Sequence, residues 1–171
     1  LTTHAQLIKL LDFPGLNIDN RGAAPYAGPV SDGTWLYGTT AGGGTYEKGT
    51  IYKVMPDGTQ YTTLRDLSTA DGTSPRGNLY YDGTYLYGLG NGGGLANKGT
   101  IFKIKPDGTG FAKLFDFSGT DGSNPDGSLI SDGTYLYGTT FSGGTNSGGT
   151  VFKILPDGTG FVSLLSFTGT A

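Results

Sequence analysis

Six aspartates carry the most regular chemistry in the sequence. Asp32, Asp82 and Asp132 are 50 residues apart, and Asp57, Asp107 and Asp157 repeat the same step. Spaced carboxylates can hold calcium or act as acid and base, but each of these six precedes a glycine. None sits in a calcium loop with its closing Glu, so they read as turn residues, with Asp-Gly filling both central positions of a tight hairpin. The one histidine, His4, cannot by itself build a triad or a metal site. There is no cysteine for a disulfide or thiolate site. Gly42-Gly43-Gly44, Gly92-Gly93-Gly94 and Gly143-Gly144 are too poor in context for a phosphate cradle, which needs a following helix N-terminus. They read as flexible connections. No catalytic residue and no cofactor or metal is expected. The candidate binding residues are aromatic: Trp35, Tyr85 and Tyr135 occupy equivalent positions beside Asp. An exposed ring with polar neighbours can stack on a sugar and hydrogen-bond its hydroxyls. Thr39-Thr40 and Thr139-Thr140 are candidate O-glycan acceptors.

The elements that must position these residues follow from the repeat. Ser131 to Phe161 is matched by blocks starting at Ser31 and Tyr81, in one register throughout. A fixed period of this size marks a repeat architecture. Each unit reads as four strands: a short one before Asp-Gly, then TWLYGTT, then GTIYKVM, then, after a Pro-Asp-Gly-Thr turn, an aromatic-led strand such as FAKLFDF (111–117). The second and third strands are apolar on both faces, as expected of strands packed between two neighbours. The expected fold is all-β and propeller-like: three four-stranded blades of 50 residues at 22–67, 72–117 and 122–167, preceded by an extra strand at 6–13, in a single domain over 1–171.

Composition narrows function further. The chain has 171 residues, 33 of them glycine, and a net charge of -3. Its 11 basic residues form no patch, which argues against a nucleic-acid partner. No run is long enough to insert into a membrane.

The Gly-rich loop, Gly-Thr-Val/Ile-Phe/Tyr-Lys-Ile/Val and Pro-Asp-Gly-Thr together resemble the GloVer-type tandem repeat of bacterial secreted and surface proteins. The resemblance implies a propeller-like fold, an extracellular or cell-surface location and no enzymatic residues.

Three blades are too few to close a ring. The N-terminal strand 6–13 and the last strand, 161–167, compete for one closing place. Asp12, Asp66 and Asp116 are equivalent, whereas the last copy has Ser166. If Lys53 pairs with Asp66 and Lys103 with Asp116, then Lys153 lacks a partner that Asp12, of this chain or another copy, would supply. Asp12, Lys153 and Ser166 are therefore the candidate assembly residues. The expected function is a non-enzymatic structural or adhesive module that self-assembles, as a homo-oligomer or polymer, through blade edges and strand exchange. The alternative is a multivalent carbohydrate-binding propeller that takes glycans at one shallow aromatic site per blade.

Overall fold

The computed structural model describes residues 21–168; the strand expected at 6–13 and Asp12 lie outside them. Twelve strands form three antiparallel sheets, each in simple sequential order. The first blade is β1 (Val30–Ser31), β2 (Leu36–Thr40), β3 (Thr50–Val54) and β4 (Thr62–Asp66). The second is β5 (Tyr80–Tyr81), β6 (Leu86–Gly90), β7 (Thr100–Ile104) and β8 (Ala112–Asp116). The third is β9 (Ile130–Ser131), β10 (Leu136–Thr140), β11 (Ser147–Ile154) and β12 (Val162–Thr168).

The two turns of each blade explain the recurring aspartates. Asp32 N–H donates to Trp35 O, which leaves Gly33 and Thr34 as the central pair, and only Gly33 has positive φ, at 95°. That is the hairpin turn with glycine first, not the Asp-Gly turn with two positive φ values that the dipeptide suggests. Asp32 instead stands before the turn and accepts from the N–H groups of Thr34 and Trp35. In the second turn Gly58 N–H donates to Met55 O, so Pro56 occupies the first corner as the sequence indicates.

The core lies between blades. One cluster joins Tyr37, Ile51 and Leu67 of the first blade to Leu79, Leu86, Phe102 and Ile104 of the second. A second joins Tyr87, Leu89, Ile101 and Phe117 to Leu129, Leu136, Phe152 and Ile154 of the third. Both faces of the middle blade are therefore covered, and every residue of β6 is buried. Side chains at opposite positions of one strand feed different seams, as strand alternation requires. Glycine at the centre of β6 and β10 makes room for the large ring across the pair: a Cβ on Gly88 would lie 2.5 Å from the Phe102 ring. Asn78 binds the three blades together, donating from Nδ2 to Gly28 O and from its backbone N–H to Ser128 Oγ.

Candidate functional site

The repeated aromatics do not stand as bare platforms. Trp35, Tyr85 and Tyr135 are half-buried, and the lysine of the adjacent strand lies over each ring: Lys53 at 4.6 Å, Lys103 at 4.8 Å and Lys153 at 4.2 Å from the centroids. This is cation–π geometry. Lys103 also reaches across the seam, donating from Nζ to Pro156 O at 3.0 Å.

The expected pairing of Lys53 with Asp66 and Lys103 with Asp116 is corrected by register. Lys53 lies opposite Thr62 while Asp66 lies opposite Thr50, at the other end of the same strand pair. The second blade repeats this with Lys103 opposite Ala112 and Asp116 opposite Thr100. The aspartates serve the Gly-rich loop instead. Asp116 accepts from Leu95 N–H at 3.0 Å and pairs with Lys113 at 2.8 Å. Asp66 accepts from Thr45 Oγ1 at 2.8 Å. Ser166 takes the same place more weakly, receiving Asn146 N–H at 3.4 Å. The loop is thus fastened rather than slack. Gly44 (φ 75°) leaves space for the carboxylate, because a Cβ there would meet Asp66 Oδ1 at 2.7 Å.

Three of the four candidate O-glycan acceptors are corrected as well. Thr40 and Thr140 are buried, and their hydroxyls bond those of Thr50 and Thr150 at 2.9 Å. Thr39 is buried too.

The turn carboxylates are held ionised. Three donors hold Asp132 at about 2: first Tyr135 N–H, then Tyr137 Oη, then Thr134 N–H. For Asp32 burial pushes upward, but the bonds from Trp35, Tyr37 and Thr34 outweigh it, and the group titrates below the usual carboxylate range. The Tyr37 phenol is driven up by burial and by its bond to Asp32. These groups hold a hairpin in shape. Among the described residues no three His, Cys, Asp or Glu side chains come together as a metal site.

Two polar clefts break the repeat. One, in the first blade, is lined by Tyr46, Thr63, Arg65, Asp66 and Asp71. Its arginine is committed: the guanidinium pairs with Asp71 at 2.9 Å and lies 4.3 Å from the Phe111 ring of the next blade. Arg65 Nε and Asp66 Oδ1 are buried there without hydrogen-bond partners. The other cleft opens at the seam of the second and third blades, beside Arg76, Asn91, Asp126 and Phe141.

The largest break is at the end blade. Among the described residues, positions that pack into a seam in the second blade are open in the third: Ile130 is 67% exposed, Leu165 50% and Phe167 45%. Their equivalents are covered. Phe117 is fully buried, and Phe115 stacks on Phe161 of the next blade with centroids 4.0 Å apart. The Pro-Asp-Gly-Thr turn of the third blade also lies on β8, with Gly158 against the Leu114 backbone. Leu164, in the position of Leu114, is 48% exposed.

The family model of the Gloeobacter/Verrucomicrobia repeat matches residues 2–171. The chain belongs to this repeat family. Among solved structures it is similar to one in a nidogen/laminin complex (22% identity, TM-score 0.57, 81% of this chain and 46% of that one). It is also similar to TolB from Acinetobacter baumannii (19% identity, TM-score 0.57, 91% of this chain and 34% of that one). A third similarity is to the tricorn protease (20% identity, TM-score 0.52, 88% of this chain and 14% of that one). The chain thus spans less than half the length of these structures. Such likeness shows the fold, a β-propeller-like stack of blades. A search of curated proteins finds no match.

Proposed function

We propose that this β-repeat module is a non-enzymatic structural or adhesive unit that assembles through the open face of its third blade. One observation carries the reading: among the described residues, a surface built to the pattern of the buried seams is exposed. The occupant it fits is another blade of the same repeat. Such a blade would bring an aromatic residue like Phe161 onto Leu165, a Pro-Asp-Gly-Thr turn onto Leu164, and a turn carbonyl to Lys153, as Pro156 O reaches Lys103. Lys153 thereby keeps a part in assembly, while Ser166 belongs to the loop. The exposed outer strand β12 adds an edge whose main-chain groups suit strand addition. The setting on this reading is extracellular or cell-surface, as the resemblance implies.

The test is molar mass by light scattering over a range of concentrations. Wild-type chain is expected to associate, and Leu165→Asp, which places a charge on an already exposed position, to remain monomeric. A wild-type chain that stays monomeric at the highest concentrations would sink the proposal, as would association indifferent to the substitution.

A further inference from the structure

The seam cleft of the second and third blades is independent of the open face. Its volume is about 310 Å³, and Arg76, Asn91, Asn124, Asp126, Phe141 and Ser142 line it. The positions that matter differ between copies: Phe141 stands where the earlier units have Ala41 and Asn91, and Asp126 where they have Tyr26 and Arg76. Four features then converge. Phe141 is an aromatic ring 76% exposed at the rim. Asp126 receives Asn91 Nδ2 at 3.2 Å and Arg76 at 3.5 Å, both on Oδ1, which leaves Oδ2 without a hydrogen bond. Asn124 is fixed from three sides, donating to Asn91 O at 3.3 Å and accepting from the hydroxyls of Ser142 at 3.1 Å and Ser123 at 3.3 Å. The Arg76 guanidinium, paired with Asp126, is still 43% exposed and retains donors for a guest.

The geometry points to a binding site for a hexopyranose unit of a neutral glycan, stacked on Phe141 with its hydroxyls on Asp126 and Arg76. A ring face supplies apolar area for the C–H face of a sugar, and fixed donors and acceptors at its edge match vicinal hydroxyls. The opposed charges of Arg76 and Asp126 nearly cancel, so the cleft favours a neutral polyol over an anion. The network is in place before the ligand arrives, which lowers the ordering cost of binding. This places one glycan site at a seam rather than one at each of Trp35, Tyr85 and Tyr135, whose rings already carry a lysine.

Saturation-transfer NMR with methyl glycosides of glucose, galactose and mannose tests this directly, with titration for affinity. At least one glycoside is expected to bind, with saturation strongest on one ring face. Phe141→Ala and Asp126→Ala should each weaken it by about tenfold, the scale of one lost contact. Tyr135→Ala should leave it unchanged. Both substituted side chains are exposed, so the fold is kept, and a backbone amide spectrum verifies it. Asp126 lies away from the open face of the third blade, so Asp126→Ala should also leave association intact. The proposal is overturned if none of these glycosides binds, if both variants bind like wild type, or if Tyr135→Ala alone abolishes binding.

Discussion

Phe117 and Phe167 occupy the same register in successive blades but opposite situations, which makes them a matched pair of probes. Phe117 is fully buried and meets Phe115 at 5.2 Å, Phe152 at 5.3 Å and Phe161 at 5.9 Å, each edge to face. Replacing it with alanine removes a whole ring from a seam and leaves a cavity, a change that costs about 3–5 kcal/mol. Phe167 is 45% exposed, so roughly half its area is already in water. With about 1.5–3 kcal/mol for full burial of such a side chain and no closed cavity, Phe167→Ala should cost about 1 kcal/mol. Urea unfolding of dilute chain, followed by circular dichroism, measures both. At concentrations where copies associate, the Phe167→Ala cost should rise toward that of Phe117→Ala, because binding to the folded state adds stability by mass action. Equal costs at high dilution would refute the open face. A Phe117→Ala cost below about 1 kcal/mol would refute seam packing as what holds the blades together.

Three other substitutions and titrations follow from the same geometry. Gly88→Ala keeps an ordinary backbone conformation but puts a methyl 2.5 Å from Phe102, so thermal unfolding should show a loss of about 1–3 kcal/mol. Asp116→Ala removes the acceptor of Leu95 N–H, and amide exchange at Leu95 should accelerate while that of Ile101 is unchanged. Asp132 is depressed to about 2, below its unfolded value, so its contribution is present above about pH 4 and lost as pH falls toward 2. Carbonyl NMR titration should place its midpoint near the lower figure, and Tyr137→Phe should raise it by removing one donor.

Much of this architecture is legible in the sequence because strands and turns are local. The 50-residue step, two-sided apolar strands and Pro-Asp-Gly-Thr corners lead directly to three four-stranded blades. What was not legible is which partner a polar side chain takes. Lys53 and Asp66 look complementary, yet register and alternation send one to Trp35 and the other to the Gly-rich loop. The aspartate of Asp-Gly looks like a turn centre but caps the turn from outside, because its carboxylate reaches the N–H groups two and three residues on. The seam cleft is not legible in the sequence because its walls come from positions 76, 91, 126 and 141, which no local pattern joins. The available signal was disagreement: at 26, 76 and 126, and at 41, 91 and 141, the three copies differ.

The most direct test of assembly through the third blade is a series of methyl and aromatic NMR spectra at increasing protein concentration. Signals of Leu164, Leu165 and Phe167 are predicted to shift or broaden together, while those of Leu86 and Phe102, sealed in the first seam, stay fixed. Spectra that do not change with concentration, or changes centred on another surface, would contradict the account.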